Sequence, residues 1–404
     1  MAISEDELRE CLRVLERSRE LEPDDPAFLA LENAAAHLRK HAKKRRKAER
    51  RRATAEHDRD ARASAELTGG TPRGASTLRD RACYVCKQPY RQVHDFYHLL
   101  CPSCGAASQA KRDEPIDLAG RRVLITGGRV KIGWATALRC LRAGAEVAVT
   151  TRFAADAAAR FAAEPDRASW AARLTIHSLD FRRLADVLRA IEAWRELPLD
   201  ILINNAAQTV WHPPEHYAEL IAGEQREAEL AIERWTTDTP ALFAGVDTAI
   251  DRRRQHSWVM TLEEVPPVEL VEAQVVNAIV PALLCSRLEP AFLRSRQPDR
   301  YIVNVAALEG QFERANKLAR HPHTNMAKAA LNMLVRTSAE QYAEKGIYMV
   351  AVDPGWVSHE APPHVRARAE AEGFRPPLGF EDAAARILDP VARGLAGRPV
   401  YGVL

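Results

Sequence analysis

Four of the seven cysteines fall in two C-x-x-C units, Cys83-Tyr-Val-Cys86 and Cys101-Pro-Ser-Cys104, separated by fourteen residues. Two thiolate pairs at this distance suit zinc in a four-cysteine ribbon or treble clef, where each pair sits on a tight knuckle and the metal closes a fold too small for its own core. Four protein thiolates leave no open coordination position, so the expected role is structural. A redox role for the pairs is the alternative. His94 and His98 lie inside the loop and are either substitute ligands or ordinary packing histidines, while Tyr84, Tyr90, Phe96 and Tyr97 offer apolar contacts around the metal. Cys11, Cys140 and Cys285 are scattered singly, the usage of a reducing compartment.

A second chemistry begins at Arg122-Val-Leu-Ile-Thr126, an apolar run that leads straight into Gly127-Gly128-Arg129-Val130-Lys131-Ile132-Gly133 and a helical stretch from Trp134 to Arg142. A strand, a glycine-rich turn and a helix N-terminus together bind a pyrophosphate, because free backbone N–H groups and the helix dipole converge on it.

These groups need a scaffold, and the 404 residues supply enough chain for one large domain with appendages. The composition, 46% hydrophobic and 28% charged, is that of a globular chain and excludes wholesale disorder. Residues 1–70 read as a basic helical arm, with Asp25 and Pro26 as N-cap and first-turn proline of its second helix. The glycines around Gly69 and Gly70 read as a flexible joint, and the four-cysteine module follows over 78–112. From 116 to 404, β-branched runs alternate with Ala/Leu/Arg-rich helical stretches. Arg122–Thr126, Glu146–Thr151, Leu174–Leu179, Ile201–Asn204, Tyr301–Val305 and Ile347–Val352 are the expected strands of an α/β, doubly wound parallel sheet.

The formal charge of +3 conceals a local asymmetry. Between Arg39 and Arg52 stand ten Lys/Arg against Glu49 alone, a net of +9 that leaves −6 for the rest of the chain. Residues 39–52 are therefore the expected contact for nucleic acid or an acidic protein, with a solvated, mobile helix as the plain alternative. The beginning, Met-Ala-Ile-Ser-Glu-Asp-Glu, lacks the cationic and apolar regions of a secretory signal, and no run approaches eighteen consecutive apolar residues. The expectation is a cytoplasmic protein with no membrane partner.

The turn Thr126-Gly127-Gly128-Arg129-Val130-Lys131-Ile132-Gly133 resembles the T-G-x-x-x-G-x-G segment of the short-chain dehydrogenase/reductase family, and the resemblance extends over most of residues 116–404. It implies a Rossmann-like fold and places Thr126, Gly127, Arg129, Lys131, Ile132 and Gly133 around a nicotinamide dinucleotide. Lys131 stands where the family has its middle glycine, and either turns outward or offers its ammonium to the cofactor. Asp180 resembles the aspartate beside the adenine, and Asn204-Asn205-Ala206-Ala207 the N-N-A-G stretch. Asp353-Pro354-Gly355-Trp356-Val357-Ser358 resembles the segment by the nicotinamide, and Lys328 the lysine that holds the nicotinamide ribose. Thr150-Thr151-Arg152 carries no acid for an adenosine 2′-hydroxyl and offers a cation to a 2′-phosphate, so NADP is expected before NAD.

The resemblance fails where the family does its chemistry. Thr324 replaces the tyrosine one turn before Lys328, and Ala306 and Ala307 stand in the segment where the family has its serine. An aliphatic hydroxyl is a far weaker acid than a phenol, whose pKa is about 10. Asn277 resembles the asparagine that anchors the proton-relay water, and Glu309, His321 and His323 are the nearest ionisable substitutes. Two readings stay open: an atypical NADP(H)-dependent oxidoreductase acting on a small molecule with another acid, or a catalytically silent NADP(H)-binding sensor or adaptor whose arm and zinc module bind nucleic acid or protein. An insertion at about 209–260, with Trp211, Trp235, Trp258, an acidic helix-like run Glu219–Glu233 and Arg252–Arg254, reads as a substrate lid or a partner surface. The family's habit of pairing through long helices implies a homo-dimer or tetramer.

Overall fold

The computed structural model describes residues 3–209, 217–224, 230–235, 258–313, 317–358, 360 and 362–404, and the chain forms two compact units, Met1–Cys101 and Pro102–Leu404. In the first unit, α1 (Glu5–Arg17) opens on a capping box between Ser4 and Glu7. Helix α2 (Pro26–Ala63) starts where expected, with Asp25 accepting from the Ala27 N–H at 2.7 Å. A two-stranded antiparallel sheet follows, β1 (Ser76–Ala82) and β2 (Pro89–Gln92).

The expected division into a 1–70 arm, a flexible joint and a 78–112 module is not the one the contacts draw. The end of α2 is built into the cysteine unit: the buried Asp58 carboxylate accepts the Leu78 N–H at 2.6 Å, and Ala61, Ala65 and Val93 pack together. The chain then turns back so tightly that a Cβ on Gly70 would lie 2.0 Å from the Ala63 carbonyl oxygen. Small residues thus make a packed corner.

The second unit starts with α3 (Pro102–Asp113) and continues as β3 (Arg122–Thr126), α4 (Lys131–Arg142), β4 (Glu146–Thr151), α5 (Ala154–Ala162), β5 (Leu174–Ser178), α6 (Leu184–Trp194) and β6 (Ile201–Asn204). After α7 (Ala218–Gly223) and β7 (Ile232–Arg234) come α8 (Pro267–Gln274), a π-helical turn at Val275–Ile279, α9 (Val280–Arg287) and α10 (Glu289–Leu293). The chain closes with β8 (Arg300–Val305), α11 (Pro322–Ala343), β9 (Ile347–Val352), α12 (Pro363–Ala371) and α13 (Phe380–Leu395). The seven strands pair in parallel in the order β7-β5-β4-β3-β6-β8-β9. Helices cover both faces because the strands are apolar on both: Phe161, Trp170 and Leu141 fill one side, and Ile191, Leu284 and Phe292 the other. The α8–α9 stretch is apolar and long enough to cross a membrane by length and composition, yet Val275, Val276, Val280 and Leu284 are spent in this core.

Strand β7 was not expected, and it overlaps the end of the run read as helical between Glu219 and Glu233. It pairs with β5 through Ile176 and Ile232, and Trp235 locks it by donating Nε1–H to Nδ1 of the buried His177 at 3.0 Å. Burial pushes the His177 pKa down to about 4, so the imidazole stays the neutral acceptor this bond needs. Trp211, Arg252–Arg254 and most of the rest of the 209–260 insertion lie outside the described residues.

Candidate functional site

Parallel strands β4 and β5 run to one side of β3 and β6, β8 and β9 to the other, which makes the carboxyl ends of β3 and β6 the topological switch point of the sheet. A cleft of about 640 Å³ opens there, walled by the Gly127–Gly133 turn, Thr150–Phe153, Leu179–Arg182, Asn205–Thr209 and Gly355–Ser358. Tight packing explains the glycines. Gly127 has φ +71°, and a Cβ on it would sit 2.8 Å from the Ala206 Cα. On Gly133 a Cβ would meet the Gly127 carbonyl oxygen at 2.2 Å and Asn205 Nδ2 at 2.4 Å. Asn205 and Thr126 tie the turn to the end of β6: Asn205 Nδ2 donates to the carbonyls of Thr126 (3.0 Å) and Gly127 (3.1 Å), and Thr126 Oγ1 accepts the N–H groups of Asn205 and Ala206, both at 2.9 Å.

Lys131 occupies its glycine position in a glycine conformation, φ +55°. Its Nζ reaches Glu360 Oε1 at 2.5 Å, and both residues line the cleft. Burial works against the Glu360 carboxylate, but the hydrogen bonds from Lys131 and Ser358 outweigh it and hold the pKa below the ordinary value. Ile132 packs into the core beneath the turn. Arg129 is engaged by Asp156 (2.8 Å), which Arg160 also binds. Arg152 stands differently: its guanidinium lies over the rings of Phe153 (5.4 Å) and Tyr217 (4.8 Å), which contact each other at 5.4 Å, and, among the described residues, makes no ion pair. Asp180 lines the cleft, buried, with its carboxylate held by Arg182 at 2.6 Å. Pro354 is buried, and Gly355 keeps φ +83° where a Cβ would lie 2.5 Å from Leu378 Cδ1.

Among the described residues, the five positions expected to do acid–base work do not line the cleft wall. Thr324 is buried and donates its hydroxyl back to the His321 carbonyl, three residues earlier, at 2.9 Å in the first turn of α11. Asn277 sits in the π-helical turn and closes a pair of bonds with the Gln208 backbone, accepting its N–H at 2.6 Å and donating to its carbonyl at 3.0 Å. His323 is buried, and desolvation, helped by His321, pushes its pKa down to about 4. Glu309 lies half-buried on the Leu308–Gly310 turn. Lys328, one helical turn after Thr324, donates Nζ–H to the Val305 carbonyl at 2.6 Å, and burial lowers its pKa to about 8 despite the opposing charge of Asp353. Sequence reasoning missed Gln208, Tyr217 and Glu360 as lining residues. Each comes from a loop or short element without periodicity, and only the fold brings them to the mouth.

The cysteine sulfurs form a second cluster. Those of Cys83, Cys86, Cys101 and Cys104 all lie within 4.8 Å of one another, and Cys86 and Cys101 are 3.8 Å apart. Lys87, at φ +63°, bends the first knuckle, and His94 turns its Nδ1 to the backbone N–H groups of Phe96 and Tyr97.

A doubly wound sheet with a glycine-tight turn at its switch point is the architecture of the dinucleotide-binding folds. The short chain dehydrogenase model matches residues 121–228. An uncharacterised protein of Acanthamoeba polyphaga mimivirus is 33% identical over 341 residues, 77% of this chain and 71% of that one. A probable oxidoreductase of Streptomyces antibioticus is 42% identical over 91 residues, 22% of this chain and 30% of that protein. Among solved structures, the Pseudomonas aeruginosa RhlG/NADP active-site complex is similar with TM-score 0.49 and 24% identity, over 72% of this chain and 96% of that one. The match to the short-chain dehydrogenase family is carried by residues 121–228.

Proposed function

We propose that this protein is an NADP(H)-dependent oxidoreductase in which Lys328 takes over the proton transfer that the family entrusts to tyrosine. The observation that carries the cofactor reading is the cleft itself, where Gly127 and Gly133 admit no Cβ and α4 begins directly beneath. Arg152, set against the Phe153–Tyr217 ring pair and without an ion pair among the described residues, suits a 2′-phosphate. NADPH, when bound, supplies a hydride; the chain has to supply a proton to the substrate oxygen. Thr324 is a weak acid whose hydroxyl proton is already given to the His321 carbonyl, and His323, with a pKa of about 4, is neutral at pH 7. Lys328 Nζ, with a pKa of about 8, is protonated at pH 7; it is turned to the Val305 carbonyl and, among the described residues, stands behind the cleft wall, so its proton would reach the substrate through a bridging group.

Mass spectrometry of nucleotide carried through purification, followed by NADPH oxidation on a panel of carbonyl compounds, tests this reading. Bound NADP with no turnover on any compound, unchanged in Lys328→Ala, overturns the enzyme. That result favours the second reading, a silent nucleotide-binding adaptor, for which the internal engagement of Thr324 and Asn277 speaks.

The four cysteines fit structural zinc. A tetrahedral site with Zn–S of about 2.3 Å separates its sulfurs by about 3.8 Å, the scale of the cluster found here. Such a metal would hold the two knuckles together and, with its four positions filled, take no part in the reaction.

A further inference from the structure

We infer that the middle of α2, residues 39–52, is a docking rod for the phosphate backbone of double-stranded DNA. Its ten cations, Arg39 to Arg52, are all exposed, and among the described residues none is in an ion pair. At about 100° per residue, eight of them (39, 40, 43, 44, 46, 47, 50 and 51) project within an arc of about 160°, with Arg45 and Arg52 opposite. This stripe places like charges four residues apart again and again, as in Lys43 and Lys47 or Arg46 and Arg50, an arrangement that destabilises an isolated helix. A polyanion along the stripe turns that repulsion into attraction.

The geometry selects among polyanions. A helix with side chains is roughly 10–12 Å across, and the major groove of B-form DNA is about 12 Å wide. A cationic arc of this breadth then faces both phosphate rows over about 18 Å of its axis. Residues 39–60 hold no Leu, Ile, Val, Met or aromatic residue, so the helix has no apolar face to bury in a lipid surface. No Phe, Tyr or Trp occurs between Phe28 and Tyr84, which leaves nothing to stack on unpaired bases. The rod is also pre-oriented within its unit: Asp58 holds the Leu78 N–H, and Glu66 and Leu67 donate to the Asp95 and Phe96 carbonyls. Its ordering is part of folding, so binding does not have to supply it.

Fluorescence anisotropy of the full chain with a labelled 20-base-pair duplex tests the inference. Binding by six to eight phosphate contacts weakens about 10³- to 10⁴-fold between 50 and 200 mM salt. The variant Lys43→Gln/Arg46→Gln/Lys47→Gln/Arg50→Gln, cut from the centre of the arc, is expected to lower the salt slope by about 3 to 4 and the affinity at 50 mM salt by at least about 100-fold. Arg45→Gln/Arg52→Gln, on the opposite side, should lose far less, and far-ultraviolet circular dichroism should show both variants as helical as the parent. Equal binding by parent and quadruple variant overturns the inference. So does tighter binding to phosphatidylserine-containing vesicles, or to a single strand of the same length. Unchanged NADPH affinity in the quadruple variant shows that the two sites stand or fall separately.

Discussion

Replacing Lys328 by methionine should invert the effect of pH on relative stability. Burial has moved the proton affinity of the Lys328 amine from 10.5 to about 8. At about 1.4 kcal/mol per tenfold change in affinity, keeping the ammonium charged costs the native state up to about 3 kcal/mol. The penalty is complete below pH 8, where folded and unfolded chains both hold the proton. Between pH 8 and 10.5 the unfolded chain binds more protons than the native one, so native stability gained through this group rises with pH. Methionine removes the charge at every pH and also the hydrogen bond to the Val305 carbonyl, a loss of about 1 kcal/mol. The variant should therefore be more stable than the parent by about 2 kcal/mol at pH 7 and less stable by about 1 kcal/mol at pH 10.5. All seven tryptophans lie in the Pro102–Leu404 unit, so urea titrations followed by their fluorescence report on the right part of the chain. The difference between parent and variant cancels other titrating groups. A difference that stays constant from pH 7 to 10.5 would refute the depressed pKa, and with it the case for Lys328 as the proton donor.

Gly133→Ala should cost about 1–3 kcal/mol and sharply weaken NADPH binding, because its Cβ meets the Gly127 carbonyl and α4 has to move; unchanged fluorescence titrations with NADPH would contradict the tight-turn account. Arg152→Glu should lower affinity for NADPH much more than for NADH in the same titration, and an equal loss for both would remove Arg152 from 2′-phosphate recognition. Lys131→Gly relieves a left-handed backbone, a gain of roughly 1–2 kcal/mol, and loses a half-exposed ion pair of at most about 1 kcal/mol. Its thermal midpoint should match or exceed that of the parent, and a clear fall would show that Glu360 matters more than the strain. Elemental analysis should find one zinc per chain, and Cys101→Ser with chelator should abolish protease resistance of the first unit while leaving tryptophan emission unchanged.

Much of the fold is legible in the amino-acid sequence. Six strands of the sheet were read to within a residue, because parallel strands covered on both faces are near-continuous β-branched runs. The three residues of β7 gave no such signal: Ile232-Glu-Arg234 becomes a strand only because the edge of β5 offers partners and Trp235 finds His177. The start of α4 was placed three residues late, since Lys131 in a left-handed conformation does not look like a first helical residue.

The site divides in the same way. Short-range covalent spacing fixed the four cysteines and the glycine turn, because a knuckle and a βα turn are closed by residues a few positions apart. Spacing along one helix likewise put Thr324 and Lys328 a turn apart and showed that the tyrosine was gone. What those side chains do was decided by neighbours distant in the chain. Val305 and Asp353 set the environment of Lys328, Gln208 takes up Asn277, and Glu360 meets Lys131 from 229 residues away. Burial and hydrogen bonding are properties of the packed neighbourhood, and they determine protonation and availability. Residue type and spacing were therefore written in the sequence, while which groups still had a proton or a charge to offer was settled only by tertiary structure.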